Sequence, residues 1–230
     1  MIIKRKSKKI NVNIILKFNG KKMDQCLTYK YRGVHLDENL KWKAHVDYLW
    51  KKLSKMCGIF LKLRHCCSKD LMKVIYFALV ESHMQYCNMI WGNANQNVLK
   101  PLINLQNKII KIICFAPYSS DEVESLYADL KLLSLQKLHK LSKAKFMFKF
   151  KNEKLPKSFE NFFRTNDANQ RYPLRNRNTN NYACEWGRTN FGIKRLQYFG
   201  VKLWNAILPG IRNAGNIKQF SKKYKSSLLE

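Results

Sequence analysis

Seven apolar residues, Trp42, Val46, Leu49, Leu53, Met56, Phe60 and Leu63, recur at spacings of four, three, four, three, four and three. An α-helix advances about 3.6 residues per turn, so this rhythm keeps all seven on one side of a helix of about six turns. A strand would alternate every second residue instead. Lys43, Lys51, Lys52, Lys55 and Lys62 fall off the stripe. One side of this helix must pack into protein, and the other presents lysine to water.

The neighbouring stretches are read in the same way. Residues 13–18 are β-branched and apolar, and Asn19-Gly20 is a hairpin-turn pair, so a strand and a turn are expected there. In 27–36, Tyr29, Tyr31 and His35 alternate with Lys30, Arg32 and Val34, which fits a second strand. Asp37-Glu38-Asn39 ends it, with Asn39 as the helix N-cap.

Beyond Leu63, a loop over 64–69 leads to a second helix opened by Asp70 and ending near Trp91-Gly92. Its expected stripe is Leu71, Val74, Ile75, Ala78, Leu79 and Tyr86. A third helix starts near Val98, carries Leu99, Leu102, Ile103, Ile109, Ile110 and Ile113, and stops before Pro117. Pro101 then falls in its first turn, where proline costs nothing. After an acidic turn (Asp121, Glu122, Glu124) comes a Leu-rich segment over 127–141. Residues 145–151 alternate so that helix and strand both fit; the series Leu132, Leu135, Leu138, Leu141 running into them favours helix. From Pro156 the composition changes. Residues 164–190 are rich in Asn, Arg and Thr with few large aliphatics, which reads as a long loop or linker. Order resumes at Phe191, with Phe199, Val201, Leu203 and Trp204, and Asn216 caps a last helix carrying Ile217, Phe220 and Tyr224.

The expected fold is therefore mainly α: a helical bundle preceded by a short antiparallel β segment and followed by a basic, partly irregular C-terminal region. Three segments are drawn, 1–38, 39–155 and 156–230. No internal repeat is found.

Charge narrows the partners. Lys and Arg number 44 against 15 Asp and Glu, a formal net charge of +29 over 230 residues. Such a chain repels itself unless a polyanion neutralises it, which points to RNA, DNA or an anionic membrane. Residues 168–230 hold twelve Lys and Arg, Arg175, Arg177 and Arg188 among them, against Glu185 and Glu230. With 46 % hydrophobic and 13 % aromatic residues, the chain can still build a core, which excludes wholesale disorder. The most apolar stretches, 71–90 and 102–115, are interrupted by Lys73, Glu81, Lys108 and Lys111, short of the roughly 20 uncharged residues of a membrane span. The basic start leads into no apolar signal core, so an intracellular location, cytoplasm or nucleus, is expected. Seven cysteines without rhythm, and no Cys-x-x-Cys pair, read as small buried apolar residues in a reducing compartment.

Candidate catalytic and metal residues fail on spacing. Tyr127-Ala128-Asp129-Leu130 differs by one residue from the Tyr-Ala-Asp-Asp of reverse transcriptases. That chemistry needs two or three carboxylates converging on paired divalent metals, and here the second Asp is Leu130. The tetrapeptide reads instead as a helix start with Tyr127 and Leu130 in the core. His83 and Cys87 lie four apart, and His65-Cys66-Cys67 adds soft ligands, but a structural zinc site needs four converging ligands in paired short spacings. His35, Asp37 and His45 are explained as a strand end, a turn and a helix face. No catalytic residue, metal ligand or cofactor site is assigned.

Tyr31-Arg32-Gly33-Val34-His35-Leu36-Asp37, followed by Leu40-Lys41-Trp42-Lys43-Ala44-His45-Val46, resembles the junction after the polymerase palm in reverse transcriptases of non-LTR retrotransposons, the jockey-like LINE group. The usual form there is Tyr/Phe-Leu-Gly-Val, then Leu-x-Trp-x-x-His. Further blocks follow in order. Ile75-Tyr76 through Trp91-Gly92 resembles a Leu-Tyr…Tyr…Trp-Gly block, and 102–113, with Gln106 and Lys108, resembles a Leu-x-x-Leu-Gln-x-Lys helix. Gly187-Arg188-Thr189 and Leu203-Trp204-Asn205 with Leu208-Pro209 resemble the C-terminal signature.

The resemblance implies that Tyr31, Gly33 and Val34 belong to a primer grip, a hairpin holding the primer's 3′ end. The helices after it would form a thumb that closes on the template–primer duplex. Arg32 stands where the family has Leu, as drift or as an extra phosphate contact. The fingers and the palm carboxylates that bind Mg²⁺ have no counterpart here, so the chain is expected to be a truncated, non-polymerising part of such an enzyme, with Met1 an internal methionine of the intact protein. Expected partners are RNA and DNA, above all an RNA–DNA hybrid. Expected contacts are Tyr31, Arg32, Gly33, Val34, Lys43, Lys51, Lys52, Lys55, Lys62, Arg64, Arg175, Arg177 and Arg188. A basic structural RNA-binding protein and a non-functional relic of a mobile element are the alternative readings.

Overall fold

The computed structural model describes residues 1, 3, 15–117, 122–165 and 181–229. Arg175 and Arg177 lie outside them, as does Asp121. The fold is mainly helical with two short antiparallel hairpins at its N-terminal end. Two compact units are distinguished, Met1–Leu126 and Tyr127–Glu230. The division cuts inside the span 39–155, because the last helix of that span packs on the C-terminal helices.

In the first unit, β1 (Lys17–Phe18) pairs with β2 (Lys21–Lys22) across Asn19-Gly20. Both turn residues have positive φ, the conformation an Asn-Gly pair adopts most readily. The stretch expected as one strand over 27–36 is instead a second hairpin, β3 (Thr28–Tyr31) against β4 (Val34–Asp37). Arg32 and Gly33 form its two-residue turn with φ of 44° and 82°. Alternation gives the wrong faces across this turn: in the observed register Tyr29 and Tyr31 pair with Leu36 and Val34 and share their face, while His35 lies on the other face with Lys30.

Helix α1 (Lys43–Leu63) follows. Val46, Leu49, Leu53 and Phe60 are buried as the stripe requires, while Trp42, Met56 and Leu63 are half-buried. Asn39 does not cap it. Asp37 accepts hydrogen bonds from the backbone N–H groups of Asn39 (3.2 Å), Lys41 (2.9 Å) and Trp42 (2.7 Å). One carboxylate thus fixes a turn in which Leu40 and Trp42 both take left-handed φ, an arrangement costly for side chains of that size.

Helix α2 (Lys69–Tyr76) is capped by Ser68, whose hydroxyl accepts from the Leu71 amide at 3.3 Å; Asp70 sits one residue inside. It continues through a π-helical turn, Phe77–Glu81, into α3 (Ser82–Gln85). The buried face is not the expected one. Met72, Tyr76, Val80 and Met84 are fully buried, whereas Leu71, Val74 and Leu79 are 49, 62 and 41 % exposed. A strict spacing of four drifts around an α-helix, and the wider π turn takes up that drift so that all four residues face inward. The helix breaks at Tyr86–Cys87, so His83 and Cys87 do not share a face. After α4 (Asn88–Trp91), α5 (Gln96–Cys114) packs along α1 and buries Leu99, Leu102, Leu105, Ile109, Ile110 and Ile113. It begins before Val98, which moves Pro101 from the first turn into the helix. Helix α6 (Val123–Asp129) spans the junction of the units and ends, rather than starts, at the Tyr127-Ala128-Asp129-Leu130 sequence. Tyr127 and Leu130 are buried.

In the second unit, α7 (Leu135–Lys151) runs unbroken, which decides residues 145–151 as helix. α8 (Asn190–Lys194), a π-helical turn at Leu196–Gly200, α9 (Val201–Ala206), α10 (Pro209–Arg212) and α11 (Ile217–Leu229) complete the unit. Phe148 of α7 stacks on Phe220 of α11 at 4.6 Å, with Trp204 and Tyr224 beside it. Asn216 caps α11 by accepting from the Gln219 amide at 2.8 Å. Part of the expected linker is held in place: Thr165 bridges Tyr182, and the Asn205 side chain exchanges two hydrogen bonds with the Tyr182 backbone. Of the seven cysteines, only Cys57 is buried, and Cys66 and Cys184 are exposed.

Candidate nucleic-acid interface

The 28–37 hairpin is tied to the helices at its tip and at one face. Tyr86 donates its hydroxyl hydrogen to the Arg32 carbonyl at 2.6 Å, and its ring lies 3.4 Å from where a side chain at Gly33 would begin. Glycine at 33 therefore serves both the positive φ and the close approach of Tyr86. On the hairpin's inner face, the His35 amide donates to Nδ1 of His45 at 3.4 Å, and His35 packs on Tyr48 at 4.6 Å. The His45 ring meets Trp91 edge-on at 5.4 Å. His45 is 1 % exposed; burial, and secondarily His35, push its pKa down to about 4. It is a neutral packing histidine, which explains its place three residues after Trp42.

What this anchoring leaves outside is aromatic and basic. Tyr29 and Tyr31 are 54 and 56 % exposed, with Lys30 and Arg32 exposed between and beside them. The Arg32 guanidinium lies 5.7 Å from the Tyr31 ring, and Lys30 Nζ lies 5.9 Å from Tyr48. Exposed rings interleaved with cations suit stacking on bases and neutralising phosphates. Val34, by contrast, is buried and anchors the hairpin to the core.

The lysines of α1 fall into two groups. At about 100° per residue, Lys51, Lys55 and Lys62 lie within ~40° of arc, opposite the apolar stripe. They repeat the stripe's own rhythm two residues later, and all three are exposed. Tyr48, which carries the hairpin, sits on the same outer line one turn earlier. Lys43 and Lys52 are exposed on the flanks. Lys43 is bound to Asp47 at 2.7 Å, and the Lys52 charge adds to burial in lowering the pKa of His83. Arg64 lies on the stripe's side, with its guanidinium 4.7 Å from the Phe115 ring. In the second unit Arg188 is exposed, one residue before Thr189 caps α8. Gly187 beside it permits the Gly192 backbone to approach: a Cβ there would stand 2.6 Å from the Gly192 carbonyl carbon.

Sequence reasoning missed Tyr48 and Tyr86 as the supports of the hairpin. It also missed that Tyr76 and Gln106, quoted from separate blocks, form one buried pair, with Gln106 Nε2 donating to Tyr76 Oη at 2.8 Å. The signal for that pair was a polar residue at a core position of each helix. Lys143 was missed too: it is 1 % exposed with Nζ 4.1 Å from the Phe199 ring, and burial, then Lys194, lowers its pKa to about 7. Not every lysine in the formal charge is a surface cation.

Asp129 is exposed, and among the described residues no group of three or more His, Cys, Asp or Glu is placed to hold a metal ion. Among them, too, no helix is long and apolar enough to cross a membrane. Compared with known protein families, curated proteins and solved structures, the chain matches none.

Proposed function

We propose that the chain binds a nucleic-acid duplex, an RNA–DNA hybrid above all, in the role of the primer grip and thumb of a non-LTR retrotransposon reverse transcriptase. The observation that carries this reading is the two-sidedness of α1. Its inner side is locked into the core by Val46, Leu49, Leu53 and Phe60. Its outer side runs from the tyrosine- and arginine-bearing hairpin to a line of three exposed lysines. A rigid helix displaying cations at fixed spacing suits a rigid, regular polyanion better than a flexible one. The ordered motif series supports the specific role, since its residues occupy structural positions that suit a hairpin and helices held as one piece: Gly33 in the turn, Trp91 in the core, and Tyr76 bonded to Gln106.

The experiment is a salt titration of binding to RNA–DNA hybrid, duplex DNA and single-stranded RNA of one length. Neutralising four phosphates gives a log–log slope of about −3.6, a loss of roughly a hundredfold between about 50 and 200 mM salt. Hybrid should bind most tightly. An affinity flat with salt sinks the reading, and a clear preference for single-stranded RNA favours a basic RNA-binding protein instead.

A further inference from the structure

Gly58 lies in the middle of α1, between Lys55 and Lys62 on the outer line. Residues 51, 55, 58 and 62 are spaced four, three and four, so the glycine falls within about 60° of arc of all three lysines. It is exposed, and a Cβ built on it would meet nothing within 4 Å. Glycine in an exposed helix interior is a poor choice for the fold, because alanine is the better helix former there. Positive φ, which only some positions in this chain adopt, does not occur at Gly58, and no neighbour needs the missing side chain. The protein itself therefore gives no reason for it.

We infer that Gly58 is a close-approach point, a bare patch of helix backbone where the sugar–phosphate strand of a bound duplex lies against α1 while Lys51, Lys55 and Lys62 neutralise the phosphates around it. This rests on the duplex-binding reading and names where the duplex touches. Glycine is the residue that lets another backbone come nearest. Lys51 and Lys62 are about 16 Å apart along the helix axis, so the bare patch is flanked on both sides by cations that hold the strand down. A rigid duplex cannot curve round a side chain placed there. A single strand can.

Two variants of the full chain test it. Gly58→Ala should raise the melting temperature by about 2–4 °C, because alanine favours the helix and clashes with nothing. It should nonetheless weaken RNA–DNA hybrid binding about threefold. Gly58→Leu, also a good helix former, should weaken hybrid binding tenfold or more and single-stranded RNA binding less than twofold. Lys51, Lys55 and Lys62 changed together to Gln provide the comparison. If that variant loses hybrid affinity while Gly58→Leu binds hybrid within twofold of the parent, the close-approach role is wrong and the duplex reading stands. If the parent itself shows no salt-dependent hybrid binding, the duplex reading fails and takes this inference with it.

Discussion

Helices α1 and α2 both carry apolar residues at helical spacing, yet that spacing predicts the buried face of only one of them. The α1 stripe follows a four–three rhythm, and the residues it names are buried or half-buried. In the helix that starts as α2 and continues through the π turn into α3, the same template selects Leu71, Val74 and Leu79, which are exposed, and overlooks Met72, Tyr76, Val80 and Met84, which are fully buried. Leu71, Val74, Met72 and Tyr76 all lie in regular α-helix, where two apolar faces compete and packing selects one; the π-helical turn at Phe77–Glu81 then brings Val80 and Met84 round to the side of Met72 and Tyr76. The number of apolar residues thus gives the presence of a helix, while the phase of its buried face depends on packing partners and on a backbone detail, neither of which spacing alone reveals. Their outer faces differ as well: α1 presents lysine, α2 presents aliphatic side chains.

The largest effect should come from cutting the two buried faces. Leu53→Ala in α1 and Met72→Ala in α2 should each destabilise the fold by about 2–5 kcal/mol, as truncations of buried side chains do. Val74→Ala, on the face that spacing favoured, should change stability by less than about 0.5 kcal/mol. Denaturant unfolding of the three variants checks this. A Val74→Ala cost equal to that of Met72→Ala would mean that α2 is turned the other way.

The next effect depends on pH and belongs to α1 alone. His45 is held neutral, with its pKa lowered from 6.5 to about 4, so below 6.5 the unfolded chain binds more protons than the folded one. Its contribution is complete above pH 6.5 and is lost as pH falls towards 4, by about 3 kcal/mol at most. His45→Gln should flatten the stability profile across that window. The separate rise above pH 7, expected because burial lowers the Lys143 pKa from 10.5 to about 7, should remain.

A smaller effect joins α2 to α5. Tyr76→Phe removes the hydroxyl that accepts from Gln106, whose side chain is fully buried, and should cost about 1–3 kcal/mol. Adding Gln106→Leu to that variant should recover much of the loss, since removing both partners leaves neither unsatisfied. If the double variant is as unstable as the sum of the single ones, the hydrogen bond is not what the pair contributes.

The legibility of the sequence follows the same division. The presence of the long helices α1, α5 and α7, the Asn19-Gly20 turn, the Asn216 cap and the buried stripe of α1 were legible because each depends on residues close together in the chain, whereas the breaks at Tyr86–Cys87 and between Asp129 and Leu135 were not. The second hairpin was hidden because Arg32-Gly33 is not one of the Asn-Gly or Asp-Gly pairs that mark a tight turn, and the N-terminal end of α1 because Asp37 reaches its partners across four and five residues. At the candidate interface, composition identified the lysines but not their grouping. Helical phase puts Lys51, Lys55 and Lys62 together and leaves Lys43 and Lys52 on the flanks, while the Phe115 ring draws Arg64 to the inner side. Tyr48 and Tyr86 were invisible because their partners lie in the hairpin, up to 54 residues away.

The smallest effect on stability, and the sharpest test of the outer faces, comes from the lysines. Lys51, Lys55 and Lys62 changed together to Gln should leave unfolding nearly unchanged, since exposed substitutions away from caps and buried pairs stay within about 0.5 kcal/mol. Hybrid binding should weaken, and its salt slope should flatten by about one for each phosphate that is no longer neutralised, up to three. Lys43 and Lys52 changed to Gln remove two charges from the same helix but from its flanks, and Lys43 is already engaged by Asp47. If the pair flattens the slope as much per lysine as the triple variant does, binding responds to net charge alone and α1 has no oriented face. A slope that falls only with the outer three makes the helix a surface with a direction, locked by its apolar stripe and read through its lysines.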